Sequence, residues 1–268
     1  MAKGFTVKAK APAKKKEEWD IASIKERMKG KTIVFCLPGR GCSFTFLKNF
    51  VQLCFDMVQN GMSIQISQDY SSMVNFARCK CLGANVLRGP KQVPWDGKLQ
   101  YDYQLWIDSD IVFSTEKFWQ LCDMAIDAEG KEKEIVSGWY ATEDGQTTSV
   151  AHWLEEDDFR TNGGVMNHET VESISKRRKP FTVDYTGFGW VLIKKGVFEN
   201  LEYPWFAPKM QSLRVVMFRT CAVKTYRSVL MQRKKVLKSG AILVSELVTK
   251  KLVLSEVLNY DDERRHLR

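Results

Sequence analysis

The sequence lacks most of the features that assign a chain to a special class at once. No apolar run approaches the ~18 residues that a membrane span needs. The first 20 residues carry lysines but no apolar stretch of the kind that makes a secretory signal. These absences give the expectation of a cytoplasmic protein with no transmembrane segment. Only 17 Gly and 7 Pro stand in 268 residues, which excludes collagen-like and low-complexity chains. There is no internal repeat. A disulfide framework is missing as well. The seven cysteines, at 36, 42, 54, 79, 81, 122 and 221, are odd in number and lie mostly in apolar segments, as reduced core thiols do. Cys79-Lys80-Cys81 has the spacing of a metal pair but lacks the second pair that structural zinc needs.

What is present is ample core material, with 44% hydrophobic and 12% aromatic residues, so disorder of the whole chain is excluded. At roughly 100–200 residues per domain, the length fits one large domain or two small ones. The formal net charge of +9 would point to nucleic acid or an anionic membrane, but it is unevenly spread. Residues 1–16 hold six Lys and no acid, giving +6. Residues 17–211 hold 22 basic and 27 acidic residues, giving −5. Residues 212–268 hold 13 basic and 5 acidic residues, giving +8. The chain therefore divides into a Lys-rich flexible tail at 1–18, a mildly acidic globular part at 19–211, and an atypical basic segment at 212–268. A solubilising tail is the simplest reading of the start; an anchor to acidic lipid or nucleic acid is the other.

Strands and helices alternate along the globular part. IASIKERMKG reads as a short helix ended by Gly30 and KTIVFCLPGRG as a buried strand stopped by Pro38-Gly39. SFTFLKNFVQLCFDMVQNG is a Ser-capped helix closed by Asn60-Gly61. MSIQISQDY is a second strand, and SSMVNFARCKCLG a second Ser-capped helix of this series. YQLWIDSDIVF reads as a third strand, STEKFWQLCDMAIDA as a capped helix, and EIVSGWYAT as a fourth strand. Residues 142–180 are polar and read as a long loop or a pair of short strands over the site. FTVDYTGFGWVLIKKGVFENL then returns to strand followed by helix. This order predicts an α/β domain with a mostly parallel sheet flanked by helices, joined by right-handed crossovers. Ligands lie at the carboxyl ends of such strands, where Pro38-Gly39, Asp69 and Asp108/Asp110 fall.

Asp108-Ser109-Asp110 interrupts a run of large apolar residues. Two charges in a buried strand are costly unless paired or metal-bound. Residues i and i+2 of a strand face one side, so both carboxylates can converge on one point. Mg²⁺ or Mn²⁺ takes such oxygen ligands and bridges to phosphate oxygens, which would neutralise a diphosphate leaving group. The plainer reading is a solvated turn between two short strands.

CLPGRG, NFARCKCLG, LWIDSDIVF and DYTGFGWVLIKKGVFENLEYPWFAPK together resemble GT-A glycosyltransferases of the broad family-2-like group that includes phage and giant-virus members. The resemblance spans about residues 31–210. It implies a Rossmann-like GT-A sheet, a nucleotide-sugar donor (UDP- or GDP-sugar), Mn²⁺ or Mg²⁺, and a carbohydrate or glycoconjugate acceptor. It implies no specific nucleic acid and, for a viral member, the host cytoplasm. Carried over residue by residue, Asp110 binds the metal and Asp108, beside it in the metal site, contacts the ribose or donor sugar, with Ser109 between them. Leu37, Pro38 and Gly39 hold the nucleoside. Arg78 is the donor-side arginine, assisted by Lys80, and Asp69 is the acid that binds the base. Gly187, Phe188, Gly189, Trp190 and Trp139 form the wall facing sugar and acceptor. Taken from the residues alone, Arg78 reads equally as a surface arginine, Asp69 as a helix cap, and Trp139 and Trp190 as core.

The family pattern continues with an acidic Glu-Asp pair holding the catalytic base, then Phe-Cys-x-x-Ala-x-x-x-Gly, Asp-Pro, and a metal-binding His. None of this stands in residues 212–268. The neighbouring reading frame can encode it. Taking the last base of each codon with the first two of the next, from Met217 onward, permits V-Q-D-M-C-S-E-D-V-S-F-C-F-D-A-K-K-E-G-F-E-V-W-C-D-P. Met217-Phe218 forces the first Val and Thr220-Cys221 forces Met; other letters use codon freedom. The resemblance thus implies a frame slip near Gln211, with loss of the base and the metal His. A genuine divergent tail with helical content is the alternative. Two other functions remain open on the sequence. One is a nucleotidyltransferase, for which Leu37-Pro38-Gly39-Arg40-Gly41 is a thin phosphate loop. The other is a non-catalytic basic nucleic-acid-binding protein, against which the acidic middle counts.

Overall fold

The computed structural model describes residues 20–177 and 179–207, together with the backbone of short strands at 211–212, 217–218 and 243–246. The Lys-rich tail at 1–18 and nearly all of 212–268 lie outside the described residues. In chain order the elements are α1 (Ile21–Met28), β1 (Thr32–Pro38), α2 (Phe44–Gln59), β2 (Ser63–Asp69), α3 (Val74–Cys81), β3 (Tyr103–Ile107), α4 (Thr115–Ala125) and β4 (Ile135–Trp139). Then come β5 (Thr147–His152), α5 (Glu156–Thr161), β6 (Asn167–Thr170), α6 (Val171–Ser175), β7 (Phe181–Thr182), β8 (Tyr185–Thr186) and β9 (Trp190–Lys194). Short strands β10 (Gln211–Ser212), β11 (Met217–Phe218) and β12 (Leu243–Glu246) close the series.

The main sheet has seven strands in the order β2-β1-β3-β9-β4-β12-β7. β2, β1, β3, β4 and β12 run one way; β9 and β7 run against them. This is the expected α/β architecture with a mostly parallel sheet and helices on its faces. Side-chain alternation gives the sheet two apolar faces. Ile33, Phe35, Tyr103, Leu105, Ile107, Trp190 and Leu192 pack with α1, α2 and α4. Val34, Cys36, Trp106, Val191 and Ile193 point the other way, toward α3 and the aromatic group Phe198, Trp205 and Phe206. Burying both faces is why these strands read as nearly continuous apolar runs.

Helix ends follow the sequence signals in most places. Ser43 Oγ accepts from Phe46 N at 3.1 Å and Ser114 Oγ from Lys117 N at 3.3 Å, each satisfying a first-turn amide. α3 departs from expectation. Its N-cap is Met73, with no side-chain cap, and Ser71 bonds only the Met73 amide at 3.4 Å. One further expectation is corrected: residues 195–200 after β9 form turns rather than a helix. Of the two readings of the polar stretch 142–180, the pair of short strands holds; β5 and β6 belong to a small antiparallel sheet, β6-β5-β8, and α5 and α6 stand in the same stretch.

The described cysteines are free and mostly buried, with Cys42 exposed. Burial pushes the Cys54, Cys79 and Cys81 thiols up to about 11, and those of Cys36 and Cys122 well above their ordinary value. At pH 8, mass-mapped alkylation is therefore expected to label Cys42 first and the buried Cys36, Cys79, Cys81 and Cys122 only on unfolding. The raised folded values also set a pH dependence. Their contribution to stability is complete below about pH 8.5, the value in the unfolded chain, and declines as pH rises toward 11. Rapid labelling of Cys79 or Cys81 in the folded chain would contradict the packing described.

Candidate functional site

The chain leaves β1, crosses to β2 on one side and then to β3 on the other, so β1 and β3 flank a switch in strand order. Crossovers lead away in opposite directions at such a point and leave a crevice beyond the carboxyl ends. Here the crevice is edged by Gly39 and Ser109. A Cβ on Gly39 (φ +154°) would stand 3.2 Å from Ser109 Oγ, so glycine allows the two loops to meet. Gly39 N donates to Asp69 O at 3.0 Å, and Gln68 Nε2 to Gly39 O at 2.5 Å. These bonds tie the ends of β1 and β2 together, and Leu37, Pro38, Gly39, Asp69, Asp108, Ser109 and Asp110 lie along one sheet edge.

The geometry of the Asp pair corrects the sequence reading. β3 ends at Ile107, and Asp108-Ser109-Asp110 forms a turn in which Ile111 N donates to Asp108 O at 3.1 Å. Strand alternation therefore does not align the two carboxylates. The strand stops because charged groups at the sheet's end are better solvated outside it than in the apolar layer. Asp110 is exposed, whereas Asp108 faces inward to Arg78. One guanidinium nitrogen, Nη2, lies 3.1 Å from Asp108 Oδ2 and 3.3 Å from Oδ1.

Arg78 itself is only 7% exposed. It sits on the inner face of α3 with its guanidinium 5.1 Å from the centre of the Phe188 ring. The expected donor-side arginine is therefore turned into the protein beneath Asp108. Lys80 lies on the outer side and pairs with Asp69 at 3.3 Å. Asp69 also accepts from the Tyr70 amide at 2.7 Å, so it braces the β2 end and caps no helix.

The aromatic wall is redistributed. Trp190 is fully buried and stacks on Phe113, with ring centres 4.8 Å apart. Trp139 is 3% exposed within the other core layer, and Phe188 packs edge-on against Trp106 and Phe206. None of the three presents an open face to a sugar. Tyr140, which the sequence reading passed over, lies close to Asp108. Its hydroxyl accepts from Gly189 N at 3.3 Å, and its ring lies under the Gly187-Phe188-Gly189 turn. Burial and the nearby Asp108 carboxylate push its phenol pKa upward, with Asp110 adding to the effect, so it stays protonated. The signal was Trp139-Tyr140 at a strand end. Adjacent strand residues face opposite sides, and sequence alone did not say which one faces the site.

The small sheet holds this arrangement. Gly187 N donates to Ser149 O at 2.7 Å and Ser149 N to Tyr140 O at 2.9 Å. A Cβ on Gly187 would fall 2.2 Å from Tyr140 Oη and 3.0 Å from Ser149 Cβ. Gly187→Ala is expected to cost about 1–3 kcal/mol, because the ring cannot retreat from a packed layer. Urea unfolding measures this loss, and an unchanged midpoint would mean that the turn does not bear on Tyr140.

The chain matches no protein-family model and no curated protein. Among solved structures it is similar to A197 from STIV, with 18% identity over 81% of this chain and 82% of that one, at a TM-score of 0.45. A mycobacterial protein gives 13% identity over 91% and 75%, at 0.40. S. aureus TarS 1-349 gives 10% over 80% and 58%, at 0.37.

Proposed function

We propose that the chain is the donor-binding part of a metal-dependent glycosyltransferase, which takes a sugar from a nucleotide-sugar to a hydroxyl of a carbohydrate or glycoconjugate. The observation that carries this reading is the exposed Asp110 beside an Arg78-neutralised Asp108, at the crevice where Gly39 meets Ser109. A switch-point crevice with close backbone approach suits a nucleoside diphosphate. In this reading Leu37, Pro38 and Gly39 hold the nucleoside, with Asp69 and Lys80 at its rim.

The described residues contain no group of three or more His, Cys, Asp or Glu able to cage a metal. Mg²⁺ and its relatives commonly use one or two carboxylates plus substrate phosphates, so a single exposed carboxylate fits an ion that arrives with its diphosphate. Asp110 would hold it, with Asp108 next to it, and the bound ion would offset the charge of the leaving diphosphate. The chain's own groups do the positioning. Arg78 fixes Asp108 from below, Gly39 admits the backbone of the β1 loop, and the protonated Tyr140 hydroxyl offers a proton at the crevice floor. The acceptor base belongs to the pattern missing from 212–268, and we further propose that it was lost in a frame slip near Gln211.

Calorimetric titration of UDP-, GDP- and dTDP-sugars with Mn²⁺ tests the reading. At least one donor is expected to bind, and Asp110→Ala to weaken it by about tenfold or more, the equivalent of ~1.4 kcal/mol. No heat from any donor, with Asp110→Ala indistinguishable from the parent, would sink the proposal.

A further inference from the structure

β1 ends at Pro38 and α2 starts at Phe44, and Arg40 stands in the loop between them, flanked by Gly39 and Gly41. The arginine is exposed. A Cβ on Gly41 would meet nothing within 4 Å, so the loop itself does not crowd the side chain. Charge along this sheet edge is unevenly settled. Asp69 is paired with Lys80 at 3.3 Å and Asp108 with Arg78 at 3.1 Å, whereas Asp110 is exposed. Two closed pairs and one open carboxylate leave the edge net negative. A divalent ion matches only the charge of a nucleotide-sugar's diphosphate, so the charge of Asp110 stays uncompensated and repels the ligand unless a further cation joins.

Arg40 pairs with no carboxylate among the described residues. Its guanidinium lies over the Tyr70 ring, 4.0 Å from the ring centre. Stacking occupies the face of a guanidinium and leaves its edge N–H groups available to an anion. β1 lies between β2 and β3 in the sheet. Neighbouring strands are about 4.8 Å apart, within the sweep of an arginine side chain. From the end of β1, Arg40 therefore reaches either Tyr70, which follows β2, or the Ser109-Asp110 turn, which follows β3. An exposed cation–π contact is weaker than a bidentate bond to phosphate, so a diphosphate held at that turn draws the guanidinium off the ring. On the donor-binding reading proposed above, we infer that Arg40 is a binding residue for the donor's diphosphate. It rests on Tyr70 in the free chain and turns to the phosphates in the complex, where it reads phosphate rather than base or sugar.

Calorimetry on the full chain with Mn²⁺ tests this, with UDP, GDP and dTDP as probes and uridine, guanosine and thymidine as their phosphate-free counterparts. For the diphosphate that binds, Arg40→Gln is expected to weaken affinity by about tenfold, the scale of one charge-assisted bond. The remaining affinity should also depend less on salt. Arg40→Lys keeps the charge without the planar fork and should recover part of the loss. The matching nucleoside should bind the parent and Arg40→Gln alike. Equal diphosphate affinity in the parent and Arg40→Gln overturns the inference while leaving the donor-binding reading in place. An equal loss for the nucleoside also overturns it, because the guanidinium would then read the base. Failure of every diphosphate to bind the parent removes both the donor-binding reading and the role of Arg40.

Discussion

Restoring the neighbouring reading frame after Gln211 is expected to raise sugar transfer by roughly 100- to 10,000-fold over the present chain, the range that a positioned general base contributes. The reasoning has two parts. In the proposed reading the crevice at β1 and β3 binds the donor, and the carboxylates at the ends of β2 and β3 are Asp69, Asp108 and Asp110. Asp69 is tied to Lys80 and Asp108 to Arg78, and Asp110 is assigned to the metal. None is left to take a proton from an acceptor hydroxyl. With permitted codon choices the alternative frame can encode a Glu-Asp pair followed by Phe-Cys, Asp-Pro and His, in the order that the family resemblance implies. Nucleotide sequence around codon 211 is the first check: bases that cannot encode that peptide end the idea. The second is the assay. If the restored chain binds the donor as the present one does but transfers no faster, the base lies elsewhere. The backbone of β12 already pairs with β4 and β7 in the present chain. Frame restoration must therefore also keep a strand at that place.

Arg78→Met is expected to weaken nucleotide-sugar binding by about 10- to 100-fold and to lower stability by about 1–3 kcal/mol. The stability term comes from leaving Asp108 without its cation in a partly buried place. It is set below the cost for a fully buried pair because the Asp108 side chain retains 27% exposure. The binding term arises because an unpaired Asp108 would swing out beside Asp110 and set two negative charges against a diphosphate. In the proposed reading Arg78 acts through Asp108, as a positioning residue. Arg78→Lys separates that role from simple packing. It keeps the charge but not the planar guanidinium, and should recover part of the affinity. Urea unfolding and calorimetry read the two effects separately. A loss of stability with unchanged donor affinity in both variants would make Arg78 purely structural.

Much of the architecture was legible from local chemistry. Ser43 and Ser114 cap helices because a hydroxyl answers an orphan amide. Gly61 and Gly83 close α2 and α3 at φ +76° and +69°, a conformation that other residues enter with difficulty. The continuous apolar runs of β1, β3 and β9 announced strands buried on both faces, and the alternation of element types announced a mostly parallel sheet. The position of Pro38-Gly39, Asp69 and Asp108 at one sheet edge followed from that topology.

Other features needed the tertiary structure. Asp108-Ser109-Asp110 reads as strand by its neighbours, but solvation ends the ladder at Ile107. Arg78 looks like any helix arginine until β3 brings Asp108 to it, 30 residues along the chain. Trp139, Trp190 and Tyr140 carry similar apolar weight, and only the pairing within the main sheet and with the small sheet decides that the tryptophans fill the core and that the tyrosine lies by Asp108. A second apolar stripe of α2, formed by Phe44, Leu47, Val51, Phe55 and Val58, likewise fits a buried helix in sequence; the fold leaves it exposed. Local sequence fixes what each segment can become, because caps, turns and periodicity act within a few residues. Which face of a segment meets charge, water or a ligand depends on partners far away in the chain, and that was decided by packing.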